Sequence, residues 1–129
     1  MPVDFTIGPP QGFVHTRFTG EVTDADLRAH QARLAKHPDF DPAGRQIIDL
    51  TDVDRMLVSA SAVQALVERD PWTAAARRVS VAETELAYGL ARMHAALLSS
   101  RGQDVRVFRH MDEARAFLGL ESAFEPTAS

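Results

Sequence analysis

Several polar side chains stand where the chain leaves its expected strands or opens its expected helices: Asp49, Thr51, Asp52, Ser59, Ser61, Glu83, Tyr88, Arg92 and His110. Acids, hydroxyls and an imidazole gathered on one rim are the minimum equipment for general acid–base chemistry. In open α/β sheets, ligands collect beyond the carboxyl ends of the strands. Asp49, Thr51 and Asp52 fall at one such end, Glu83 and Thr84 at the next, Arg109 and His110 at the last. A second reading needs no ligand. Short polar groups at strand ends and helix starts tie off backbone N–H and C=O groups, and Asp49, Ser59, Thr84 and His110 all sit at such places. Tyr88 and Arg92, one helical turn apart, would either hold an anionic head group at a pocket mouth or stack on each other at the surface. Trp72, in a loop, is either a contact residue or a cover for the core edge.

Other chemistries have no support. The histidines His15, His30, His37, His94 and His110 include no pair with zinc spacing and an intervening Glu, so no metal is expected. Asp49, Asp52 and Asp54 lack the glycine and terminal Glu of a calcium loop. The glycines build no phosphate cradle, and no cofactor is expected. With no cysteine there is no disulfide and no thiolate ligand, which fits a reducing compartment. A formal charge of −4 and a pI near 5.7 argue against a nucleic-acid partner. The amino-terminal residues show no basic region followed by an apolar run, and no apolar segment approaches the ~20 residues of a membrane span. A cytoplasmic, soluble protein is the expectation.

The elements that must position these groups follow from periodicity. At 129 residues and 45% hydrophobic content the chain supports one packed domain, expected over residues 1–120, with a flexible tail over 121–129. Val3, Phe5 and Ile7 alternate with polar residues as in a half-buried strand, and Phe13 to Thr19 pairs back on it as a hairpin, stopped at Gly20. Thr23 caps a helix bearing Leu27, Gln31 and Leu34, with Ala32 and Ala35. Gln46 to Leu50 is apolar on both faces and reads as a central strand, followed by a loop through Leu57. Ser59 or Ser61 opens a second helix carrying Val63, Leu66 and Val67. Arg77 to Ala82 is a strand, and Thr84 caps the longest helix, with a core stripe of Leu86, Leu90, Met93 and Leu97. Val105 to Arg109 is the last strand, and a helix through Phe117 and Leu118 ends at Gly119. The order β-β-α-β-α-β-α-β-α implies an α/β fold: a mixed five-stranded sheet with an N-terminal hairpin and parallel β-α units.

The chain also resembles a known group. His37-Pro38-Asp39-Phe40, Asp49-Leu50-Thr51-Asp52-Val53, Tyr88-Gly89-Leu90-Ala91-Arg92-Met93 and Val107-Phe108-Arg109 are similar, in order and spacing, to the SpoIIAA-like proteins. These are small STAS-like bacterial domains structurally akin to CRAL-TRIO lipid carriers. The resemblance implies a STAS-like fold. In the STAS anti-sigma-factor antagonists the helix after the central strand opens with Asp-Ser-Ser/Thr-Gly, whose hydroxyl is phosphorylated. Here that stretch is Val58-Ser59-Ala60-Ser61-Ala62, without the Asp and Gly, so Ser59 reads as a helix cap.

Two functions follow as expectations. One is a non-enzymatic module that docks a protein partner or a second copy of itself. The alternative is a carrier of a small apolar or amphipathic, lipid-like ligand, with an enzyme using the polar rim a distant third. A cavity lined by Met56, Leu57, Leu86 and Leu90 would favour the carrier; a filled core with an exposed apolar patch would favour the docking module. A homodimer through the edge strand Val3 to Ile7 is expected, because only Asp4 guards that edge. Asp49, flanked by Ile48 and Leu50, should be buried and bonded to backbone N–H groups that follow it.

Overall fold

The computed structural model describes residues 2–9 and 12–120, and the tail expected over 121–129 lies outside the described residues. The strands are β1 (Val3–Ile7), β2 (Phe13–Thr23), β3 (Arg45–Leu57), β4 (Arg77–Val81) and β5 (Asp104–Phe108). The helices are α1 (Asp24–Lys36), α2 (Ala60–Glu68), α3 (Glu85–Ser99) and α4 (Met111–Phe117). The α/β class and the mixed five-stranded sheet are as the periodicity implies. The strands lie in chain order, β1-β2-β3-β4-β5, with β1 antiparallel to β2 and every other pair parallel.

That order decides where the helices go. Right-handed crossovers between successive parallel neighbours put α1, α2 and α3 on the same face of the sheet. Only α4, which follows the last strand, folds onto the opposite face, against β4 and β5. The helix-covered face receives Phe18, Ile48, Leu50 and Ala82 with Leu27, Ala87 and Ala91. The α4 face receives Ile47, Val79 and Val81 with Ala114, Leu118 and Leu120. Central β3 is therefore buried on both sides from Gln46 to Leu50, as its unbroken apolar run requires.

Three expectations are corrected. β2 does not stop at Gly20, and β3 does not give way to a loop after Val53; the two stay paired as far as Thr23 and Leu57. Register shifts between Arg17 and Thr19 and between Gly20 and Glu21 take up the twist, and Gly20, at φ 63°, supplies the left-handed backbone that the irregularity needs. Longest helix α3 does not present its leucines to the core. Ala87, Ala91, Ala95 and Leu98 are buried, Leu90, Met93 and Leu97 are half-buried, and Leu86 is 61% exposed. The alanines on the inward side need less room between helix and sheet than leucines would. In α1 the inward stripe is Leu27, His30 and Leu34, while Ala32 and Ala35 face outward.

The helix ends carry the expected caps. Thr23 and Asp26 form a reciprocal capping box, Ser59 accepts from the Ala62 N–H, and Thr84 accepts from the Ala87 N–H. Gly119 closes α4: its N–H bonds the Ala116 carbonyl and the Leu120 N–H bonds the Arg115 carbonyl, which seats Leu120 in the core. At the free edge of β1, two outward-facing backbone groups are already occupied. Arg33 donates to the Val3 carbonyl at 2.8 Å, and Asp4 accepts from the Phe5 N–H at 3.2 Å. Both work against the addition of a further strand there.

Two glycines test this packing with opposite signs. A Cβ on Gly44 would run into the Gly12 carbonyl at the β2–β3 entrance, so Gly44→Ala should destabilise by roughly 1–3 kcal/mol. Gly89, exposed in mid-α3, has open space around it, and Gly89→Ala should stabilise by about 0.5–1 kcal/mol. Urea denaturation of both variants reads the two signs.

Candidate functional site

On the helix-covered face, alternation along three strands brings polar side chains into a place where apolar ones would be expected. Thr16 on β2, Gln46 on β3, and Arg78 and Ser80 on β4 are all buried. Register sets Gln46 beside Arg78 and Ile48 between Thr16 and Ser80. These residues bound a cavity of about 90 Å³ between the sheet and helices α1, α2 and α3. Its apolar walls include Phe18, Leu27, Ile48, Leu50, Met56, Leu66, Leu90 and Ala91, and its polar wall adds His30, His94 and Asp70.

Within the polar wall His30, Thr16, Gln46, Arg78 and Asp70 form one continuous hydrogen-bonded chain, which Ser80 and His94 do not join. His30 Nε2 lies 3.2 Å from Thr16 Oγ1, and Gln46 Nε2 donates to the same hydroxyl at 3.0 Å. Arg78 donates from Nε to Gln46 Oε1 at 3.0 Å and from Nη1 to Asp70 at 3.0 and 3.2 Å. Gln103 completes it, donating to Asp70 at 2.9 Å and to the Trp72 carbonyl at 3.0 Å. Burial raises the Asp70 carboxyl against the pull of Arg78, and burial lowers the Arg78 guanidinium against the pull of Asp70. Burial also pushes His30 down to about 4 and His94 to about 3, each helped by a nearby arginine. Both rings are therefore neutral at pH 7. The sequence pointed to none of these residues as a site. The available signal was Gln46, Arg78 and Ser80 on the inward face of strands that are otherwise apolar.

The residues expected on one rim fall in separate places. Ser59 and Ser61 lie at the start of α2, where Ser59 donates from its N–H and its hydroxyl to Asp24, both at 2.9 Å. Those two bonds hold the Asp24 carboxyl below its ordinary value. A phosphate on Ser59 would face that carboxylate, which disfavours it. Glu83, Tyr88 and Arg92 gather instead around Arg109, whose guanidinium stacks 3.9 Å from the Tyr88 ring while Arg92 lies at 6.0 Å. Arg109 also reaches the Glu83 carbonyl and the Glu85 carboxylate, both at 3.5 Å. His110 stands at the N-cap of α4 without making a side-chain cap bond, and Asp52 is exposed on β3. Trp72 is buried edge-on to Phe40 at 4.8 Å and covers the core. The physical reason for the dispersal is topological. Sheet order never reverses, so no crevice opens at the strand ends, and the free space lies under the helices instead.

Asp49 and Thr51 lie on the opposite face, beside His15 and Arg17. Asp49 is buried, with Thr51 donating to it from its N–H at 3.0 Å and its hydroxyl at 2.6 Å, and His15 Nε2 at 3.2 Å. Burial alone would raise this carboxyl, but the His15 and Thr51 bonds outweigh it and lower it to about 2. The N–H that bonds it belongs to the continuing strand rather than to a loop. Among the described residues no cluster of His, Asp and Glu has the arrangement of a metal site.

With the fold and cavity defined, comparison with known proteins places the architecture. No family model matches the chain, and no curated protein is similar to it. The fold is SpoIIAA-like. It is shared with an uncharacterized protein of the DUF3478 family from Shewanella loihica PV-4, at TM-score 0.57 and 16% identity over 90% of this chain and 93% of that one. At that identity the likeness speaks for the fold alone. No helix among the described residues is long and apolar enough to cross a membrane.

Asp49 yields a prediction with a defined pH window. Because its folded value is lowered from 3.8 to about 2, its contribution to stability is present above about 3.8 and is lost as pH falls towards 2. Asp49→Asn should cost roughly 1–3 kcal/mol near neutral pH. Asp52→Asn, at an exposed position, should cost under ~0.5 kcal/mol. Urea melts at neutral pH and near the lower end of that window would check both, with the Asp49→Asn difference shrinking in acid.

Proposed function

We propose that this domain is a non-enzymatic binding module that carries or senses a small amphipathic molecule in the cavity beneath α1, α2 and α3. The observation that supports it most is the cavity itself, about 90 Å³ between the sheet and the three helices that cover it. The cavity is partly open to solvent, which gives a small ligand a way in without unfolding of the domain. Met56 and Leu90 line it as the carrier reading requires, whereas Leu57 and Leu86 lie at the surface. One apolar side and one polar side match a ligand with two unlike ends. Dispersal of the rim residues argues against the enzyme reading, since it leaves Ser59, Tyr88 and Asp49 on different supports.

A docking module is the second reading. Its support is the pair of large apolar side chains left in solvent, Leu57 at 45% and Leu86 at 61% exposure. Two single leucines fall short of the contiguous patch that marks an interface.

Backbone amide NMR separates the two. Small amphipathic molecules at millimolar concentration should shift the amides of Ile48, Leu50, Leu66, Leu90 and Ala91. Leu90→Trp, which fills the cavity from its half-buried wall, should abolish those shifts while keeping a cooperative melt. Shifts confined to the Leu57 and Leu86 surroundings would favour the docking module.

A further inference from the structure

We infer that the cavity takes a short-chain monocarboxylate, its acid group held by Arg78, Ser80 and His94 and its chain against Ile48, Leu50 and Leu90. The inference rests on the cavity reading above and names the ligand class. Size sets the first limit. At about 10–15 Å³ per water-sized centre, about 90 Å³ holds roughly six to nine non-hydrogen atoms. A whole glycerolipid does not fit; a short acid does.

Unused bonding capacity sets the second limit. Arg78 directs Nε and Nη1 into the network, while its Nη2 bonds no described residue. Ser80, 1% exposed, lines the cavity, and its hydroxyl likewise bonds no described residue. The His94 ring lines the same cavity and is also without a hydrogen bond to a described residue. None of these groups is sealed from water without a partner, so each is open to a ligand entering the cavity, and one ligand can engage all three. Nη2 can only donate, and the hydroxyl and neutral imidazole can each donate as well. Three such groups lining one cavity suit an acceptor-rich head group, and a carboxylate, with two oxygens, accepts from all of them.

Charge agrees with this. Asp70 pairs with Arg78 from the Nη1 side, yet the positive charge of Arg78 is still felt at His94 and helps keep that ring unprotonated. Beside His94 an anionic head group is drawn to the Arg78 guanidinium, and a cationic one is repelled by it. The acidic groups near the network are Asp70, already engaged by Arg78 and Gln103, and Asp4, which acts on His30 rather than His94.

Titration of the full-length protein with hexanoate and with hexan-1-ol, followed by amide NMR and calorimetry, tests the class. Hexanoate should bind about tenfold or more tightly than the alcohol, because its head group makes charge-assisted bonds that the hydroxyl cannot. Ser80→Ala, which preserves the shape of the wall, should weaken hexanoate about three- to tenfold and leave the alcohol nearly unchanged. Thr6→Ala, on the opposite face, should change neither. Equal or tighter binding of the alcohol would overturn the carboxylate assignment while leaving the cavity reading standing, as would hexanoate binding indifferent to Ser80→Ala. Binding of neither compound would overturn both.

Discussion

A guanidinium buried inside the sheet is the constraint on which most of this structure depends. The Arg78 side chain is only 4% exposed, and taking such a charge out of water costs several kcal/mol unless paired and fully bonded. Asp70 answers it, and to do so the turn between α2 and β4 must hold Asp70 over β4. Gln103, in the turn before β5, bonds both Asp70 and the Trp72 carbonyl, so two separate connections are pinned to one charge. Trp72 lies 5.1 Å from the guanidinium and closes the core edge against Phe40. Gln46 and Thr16 then pass the polarity across the sheet to His30. A purely apolar wall would pack more simply. This one keeps polar groups under the helices by bonding each to the next.

Architecture was legible in the sequence because it rests on local signals. The alternation of Val3, Phe5 and Ile7, the apolar run at Ile47 and Ile48, and the caps Thr23, Ser59 and Thr84 each act over a few residues. The site was not legible, because it arises from residues far apart in sequence whose meeting depends on strand register. His30 and His94 look unremarkable until α1 and α3 are laid over the same strands. The leucine stripe on α3 misled for a related reason: periodicity reports that one side is apolar, but the choice between leucines and alanines depends on how near the sheet lies. Extended pairing of β2 and β3 was hidden by Asp52, Asp54 and Arg55, which read as loop residues and in fact decorate the outer side of a ribbon whose Val22, Val53 and Met56 pack into the helix-covered core.

The two faces of the sheet divide their labour. Beneath three helices the polar residues are internal, mutually bonded and turned towards a cavity. On the other face α4 covers only the β4–β5 side, so the β1–β2 side carries Asp4, Thr6, His15 and Arg17 towards water. Asp49 lies under these and is held ionised by His15 and Thr51, which couples β2 to β3 from the solvent side much as Gln46 and Thr16 couple them from within.

Strand order has a consequence for how the molecule assembles. Each strand from β2 onward is laid beside the one made just before it, so no strand waits for a partner beyond its neighbour in sequence order. During synthesis the sheet can lengthen by one strand at a time as the chain emerges, with each crossover helix closing over the newest pair. The exception is the buried charge. Asp70 emerges before Arg78 and both precede Gln103, so the guanidinium is sealed only when β5 arrives. The last third of the chain thus completes the bonding of a charged pair that lies earlier in the sequence.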